Sequence, residues 1–120
     1  MMTTSRTLGQ QGEDAACRWL EAKGYRIVTR NWLCLLGEID IVAQLGALWV
    51  FIEVRTRRGS LDEAMESIGK SKRQRMIRAA HVYAASLPES NPVWRVDVIA
   101  VAAQRDGSLR VEHVEDALDW

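Results

Sequence analysis

The sequence predicts an α/β fold, a mixed β-sheet flanked by helices in the order α-β-β-β-α-α-β-β. Three observations carry that prediction. The first twenty-odd residues have an amphipathic helical pattern, two alternating apolar runs are separated by Gly46-Ala47, and two helical stretches precede the β-branched run VWRVDVIAVAA. At 120 residues, with 48% apolar and 27% charged residues, the chain suggests one globular domain over 1–120. A chain of this size buries roughly two-thirds of its unfolded surface, enough for a core without staples. Flexibility is expected only at 1–5 and near Trp120.

The elements follow in order. Residues 7–24 read as a helix closed by Gly24, with Ala16, Cys17, Trp19 and Leu20 as its apolar stripe and Glu13 projecting from the edge of that stripe. YRIVTRNWLCLL reads as a strand, or two short strands, with a bend at Arg30-Asn31. A hairpin pairs Glu38–Gln44 with Leu48–Thr56. Ser60-Leu61-Asp62-Glu63 is a capping-box pattern that starts a short helix ending near Gly69. A longer helix spans about 71–86 with Met76, Ala79, Ala80, Tyr83 and Leu87 inward. Pro88 and Pro92 bracket a loop, and Arg105-Asp106-Gly107-Ser108 turns the chain into a last strand, Leu109–Val114.

Composition narrows the setting. Two cysteines make no secreted disulfide framework, no apolar run marks a signal peptide, and none approaches the ~20 residues needed to cross a bilayer, so a cytoplasmic protein without membrane contact is expected. Net charge is zero, but its distribution is uneven. Eight of the sixteen basic residues lie between Arg55 and Arg78 against three acids, and the stretch from Asp106 onward is acidic. A basic face is what a polyanion would feel; a plain solvated helix face is the competing reading. His81 and His113 have no His or Cys at ligand spacing, which gives no support to a zinc site.

The chemistry concentrates in GEIDIVAQLGALWVFIEVRTRR, where Glu38, Asp40, Glu53 and Arg55 sit among apolar residues. Regular alternation puts Glu38, Asp40 and Val42 on one face and Ile39 and Ile41 on the other. A two-residue turn at Gly46-Ala47, of type II′, sets Asp40 opposite Glu53 and Glu38 opposite Arg55; a three-residue turn scatters the charges. Two carboxylates side by side on a half-buried face repel unless a cation joins them or one takes a proton. Arg55 is one available cation. A divalent ion, Mg²⁺ or Mn²⁺ with oxygen ligands and retained waters, is the other, with Glu13 as a further oxygen.

Taken together, GQQGEDAA around Glu13, the Gly24-Tyr25 start of the first strand, GEIDIVA, FIEVRTRR, the helix over 72–83 and RVDVIAV resemble the YraN-like family of uncharacterised bacterial proteins. That family is similar in turn to the PD-(D/E)XK nuclease superfamily and its Holliday-junction resolvases. The resemblance covers nearly the whole chain and implies a restriction-endonuclease-like fold. It also implies a Mg²⁺-dependent endonuclease-like hydrolase of DNA phosphodiesters, structure-selective rather than sequence-specific. Carried over by position, Glu13, Asp40 and Glu53 match the family's site acids, with Asp40, Glu53 and Glu13 as metal ligands and Glu38 as an accessory carboxylate. Arg57, Arg58, Lys70, Lys72, Arg73 and Arg75 would hold the nucleic-acid backbone, and a homodimer is the expected assembly. The departure is Arg55, which stands where the motif has lysine. It can clamp a phosphate but is a poor general base. Two other readings therefore stand beside catalysis: a nucleic-acid-binding module with weakened or lost cleavage, and a protein-interaction domain using the acidic tail. Asp97 is expected to pair with a local arginine such as Arg95.

Overall fold

The structure is a computed structural model that describes residues 6–117; the terminal stretches expected to be flexible lie outside the described residues. The element order is α1 (Leu8–Ala22), β1 (Arg26–Cys34), β2 (Gly37–Leu45), β3 (Leu48–Arg58), α2 (Leu61–Glu66), α3 (Lys70–Ala85), β4 (Trp94–Ala103) and β5 (Leu109–Val114). This is the predicted order, with YRIVTRNWLCLL forming one strand rather than two. No helix among the described residues is long and apolar enough to cross a membrane.

Local chemistry accounts for the boundaries. Thr7 caps α1 through a capping box with Gln10, and Gly24 at φ 93° lets the chain leave the helix left-handed. The Ser60 side chain accepts the Glu63 N–H at 3.1 Å and starts α2. Gly46 has φ 60° while Ala47 is not left-handed, so the tight turn excludes type I′ and agrees with the expected II′.

The strands form one five-stranded sheet in the order β1-β2-β3-β4-β5. β3 and β4 run parallel, joined by the α2–α3 crossover that parallel neighbours need; the other pairs are antiparallel. α1 packs on one face, over Ile41, Ala43, Val50, Ile52, Ile99 and Val101. α3 covers the other, where Met76, Ala79 and Ala80 meet Ile39, Phe51 and Val98. Tyr83 and Leu87 pack at the margin of that cluster as expected, whereas Trp19 is 39% exposed and leaves the α1 stripe.

One expectation needs correcting. Ile39 belongs to the α3 side and Ile41 to the α1 side, so the regular alternation assumed for β2 breaks at Asp40. The partner strand breaks at the same level. Arg30 turns toward α1, Trp32 stacks on Tyr83 of α3, and Asn31 between them has φ 53°. A left-handed residue in β1 resets which side chains face which helix.

α1 approaches the sheet closely at Gly12. A Cβ there would lie 2.8 Å from Thr56 Cγ2 and 2.9 Å from Thr56 Cβ, with no room to shift except by lifting the helix. Gly12→Ala is therefore expected to destabilise the fold by about 1–3 kcal/mol, as other overpacked contacts do. Thr56→Ala in the same chain should recover part of that loss. Urea midpoints of the two single variants and the double variant read the coupling, and strictly additive losses would contradict the contact.

Candidate functional site

The β2–β3 hairpin builds the site. Its pairing runs regularly from Leu45↔Leu48 to Ile41↔Ile52, the two-residue register expected from the turn, and then stops one step short of Asp40 and Glu53. There a side chain replaces the ladder: Asp40 Oδ2 accepts the Val54 N–H at 2.8 Å. The Asp40 carboxylate is thereby tied to the backbone beside Glu53, close enough for the two carboxyl groups to feel each other's charge.

Glu53 is only 1% exposed, and its Oε2 is buried with no hydrogen-bond partner. Burial, and after it the Asp40 carboxylate, push the Glu53 carboxyl up from 4.5 to about 8, against the pull of Lys72 and Arg55. Its Oε1 lies 3.2 Å from Arg55 Nε and 3.6 Å from Lys72 Nζ. The cross-strand pair expected between Glu38 and Arg55 is thus replaced by Glu53–Arg55 on the same strand. Glu38 is pushed above the ordinary carboxylate range by burial and by Asp40, a third acid short of positive charge in the same place.

An open cleft of ≈ 640 Å³ lies beside these groups, lined by Arg6, Glu13, Glu38, Asp40, Arg55 and Arg57 among others, with Glu53 buried behind its wall. Glu13 reaches it from α1 as expected, but it is already engaged. Its Oε1 accepts from Arg30 Nε at 2.8 Å and from Asn31 Nδ2 at 3.0 Å. The left-handed turn at Asn31 is what brings both donors to the α1 side. Glu13 therefore clamps helix to strand at the rim.

Does this donor set suit a divalent ion? Asp40 and Glu53 offer hard oxygen atoms held together against their own repulsion, with one oxygen unpartnered, which fits an ion that takes two carboxylates and keeps its waters. A fuller protein cage is absent: among the described residues no three His, Cys, Asp or Glu side chains group tightly enough to enclose a metal. Asp40 and Glu53 fit the ion; Glu13 lines the same cleft with one of its oxygens taken by Arg30 and Asn31.

The predicted basic residues divide. Arg57 lines the same cleft, whereas Arg58 lines a separate one at the ends of β3 and β4. Lys72 comes to Glu53 from α3 on the same face of the sheet, and Arg75 shares a small hollow with it beside the β1–β2 turn. Lys70 is exposed and Arg73 half-buried on the first turns of α3. Sequence reasoning placed Lys72 with the backbone-binding residues and missed its position at Glu53. The only available signal was its place one turn from Arg75 on the same face of α3, and no local pattern ties that face to Glu53.

The second buried acid makes an instructive contrast. Asp97, fully buried in β4, receives Arg95 Nε at 2.9 Å, as expected, together with His113 Nε2 at 2.7 Å and the Asp116 N–H at 2.9 Å. Burial alone would raise it, but those three donors outweigh burial and hold it below the ordinary range. Asp97 is a satisfied structural acid; Glu53 is not.

Comparison with known proteins adds a family. The model of the uncharacterised protein family UPF0102 matches residues 12–101. A UPF0102 protein of Chloroflexus aurantiacus is 45% identical over 116 residues, covering 95% of this chain and 94% of its own. One from Roseiflexus castenholzii is 43% identical over 123 residues, covering 98% of each chain, and one from Symbiobacterium thermophilum 42% over 114 residues, covering 94% and 97%.

The raised Glu53 sets a pH dependence. Because the folded protein holds this proton more tightly than the unfolded chain, the stability it contributes is complete below about 4.5 and is lost as pH rises through about 8. Thermal melts of metal-free protein should therefore fall over that window, each kcal/mol costing roughly 3–6 °C. Glu53→Gln, which cannot ionise, should flatten the profile; a wild-type melt that does not decline across the window would contradict the assignment. Asp97→Ala strands Arg95 and His113 and should cost about 3–5 kcal/mol at neutral pH, read by urea unfolding.

Proposed function

The chain belongs to uncharacterised protein family UPF0102, and from that premise we propose that it is a divalent-metal-dependent nuclease of the PD-(D/E)XK type. It hydrolyses DNA phosphodiesters by recognising structure rather than sequence. The observation that carries this reading is the Asp40–Glu53 pair: Asp40 lines an open cleft, and Glu53 is buried close to it with one oxygen lacking a partner.

Asp40 and Glu53 would hold a Mg²⁺ or Mn²⁺ ion, whose chemistry when bound would be to polarise a phosphate and lower the pKa of a water so that hydroxide forms near neutral pH. The remaining work falls to this chain's own side chains. Arg55 and Arg57 face the cleft and clamp the phosphate. Lys72 answers the objection raised by Arg55. A guanidinium stays protonated throughout and cannot pass a proton on, but the Lys72 amine beside Glu53 can orient water and exchange one. Glu13, fixed by Arg30 and Asn31, anchors α1 as one wall of the cleft. The start of α3 supports binding of a polyanion. It carries Lys70 and Lys72 with no acid in the first turn, so the positive end of the helix and its lysines face an approaching anion unopposed within that turn.

A second reading has its own observation. Arg55 and Lys72 both approach Glu53 Oε1, so the protein brings two cations of its own to the acid pair. That suits a module that binds nucleic acid in the same cleft without cutting it. The nuclease reading also implies a cytoplasmic protein and a homodimer, the latter read by light scattering.

Incubation of the protein with Mg²⁺ or Mn²⁺ and forked, four-way and linear DNA tests the proposal. Asp40→Asn should lower cleavage by roughly a hundredfold or more, since even the outer partners of metal sites cost 10–100-fold. Lys72→Met should lower it by roughly 10²–10⁴-fold, the range for a positioned acid or base, and Lys72→Arg should not restore it. Wild-type cleavage no greater than that of Asp40→Asn on every DNA rejects the nuclease. A gain of cleavage in Arg55→Lys supports the binding module.

A further inference from the structure

The β1–β2 hairpin carries a feature that the cleft does not use. Cys34 pairs with Gly37, so Leu35 and Leu36 are the two central residues of a tight turn. Two-residue hairpins favour Asn-Gly or a leading glycine because one or both central residues adopt positive φ, and neither leucine does. The side chains are also in water: Leu33 is 71% exposed, Leu35 105% and Leu36 48%. Leucine is thus placed where the turn disfavours it and where burial gains nothing.

The tip is also held in place. A Cβ on Gly37 would lie 2.7 Å from the Arg75 carbonyl oxygen, so the root of the hairpin rests against the backbone of α3. Beside it lies a hollow of ≈ 270 Å³ lined by Leu35, Leu36, Glu38, Lys72 and Arg75 among others. Glu38 lines both this hollow and the candidate cleft, so the two are contiguous. An apolar tip flanked by two cations, one of them at Glu53, matches a ligand with flat apolar rings strung between negative charges.

We propose that the hairpin tip is a wedge for unpaired bases: Leu35 and Leu36 pack against bases of a nucleic-acid strand whose phosphates Lys72 and Arg75 hold. Apolar side chains inserted at base steps unstack them, at a cost that is lowest where the bases are already unpaired. This rests on the nuclease reading and sharpens it. The substrate carries an unpaired or distorted stretch next to the bond presented to Asp40 and Glu53.

Fluorescence anisotropy without divalent ion, using a paired DNA duplex and the same duplex with a central unpaired bubble, tests the wedge. The full chain should bind the bubble roughly tenfold more tightly, the scale of one base packed on a protein side chain. Leu35→Ser/Leu36→Ser, which alters only exposed positions, should bind the duplex as before and lose that preference. If the variant keeps the preference, or the wild type binds both probes equally, the wedge is wrong and the nuclease reading stands. If the wild type binds neither probe, the wedge falls and the nuclease reading is decided by the cleavage assay. If light scattering shows that the double substitution turns a dimer into a monomer, a second copy of the chain covers the leucines and the wedge is overturned.

Discussion

The enforced proximity of Asp40 and Glu53 is the constraint around which the rest of the site is arranged. Two carboxylates at the place where a hairpin ladder ends cannot both ionise in a buried setting without positive charge. The protein meets that demand in part, through Arg55 on the same strand and Lys72 from α3, and leaves one Glu53 oxygen unpartnered. Such partial compensation differs from what the chain does elsewhere. Asp97 is buried as deeply and receives three donors, so burial alone does not explain why Glu53 is left short. A site that withholds charge compensation is poised for a ligand that brings it.

The fold supplies the geometry through a few backbone events. Ending the β2–β3 ladder at Ile41↔Ile52 frees the Val54 N–H for Asp40, and this opens the strands into a cleft instead of continuing the sheet. The left-handed Asn31 in the adjacent strand turns Arg30 toward α1 and Trp32 toward α3. Arg30 and Asn31 then hold Glu13, and the close approach at Gly12 sets α1 against β3. Lys72 and Arg75 stand on α3 beside the hairpin tip, and Glu38 lines both their hollow and the cleft, so the two form one continuous surface.

Much of this was legible from residue order because the signals are local. The II′ turn at Gly46-Ala47 determines that Asp40 and Glu53 meet, since the register of a hairpin follows from its turn. The Ser60 cap and the α3 stripe of Met76, Ala79 and Ala80 gave the helices for the same reason. Periodicity failed at Asp40 in β2 and Asn31 in β1, where the alternation of faces is interrupted. Ile39 and Ile41 read as neighbours on one face, and only the break at Asp40 and Asn31 separates them.

By itself, then, the sequence determined the elements, their order, the tight hairpin and the acids it brings together, all consequences of interactions within a few residues. Only the tertiary structure decided which charges reach those acids. Lys72 of α3 reaches Glu53, and Arg30 of β1 takes Glu13 of α1, because helices pack on both faces of the sheet. Contacts of that kind join residues far apart in the chain, and no spacing or propensity along the chain encodes them.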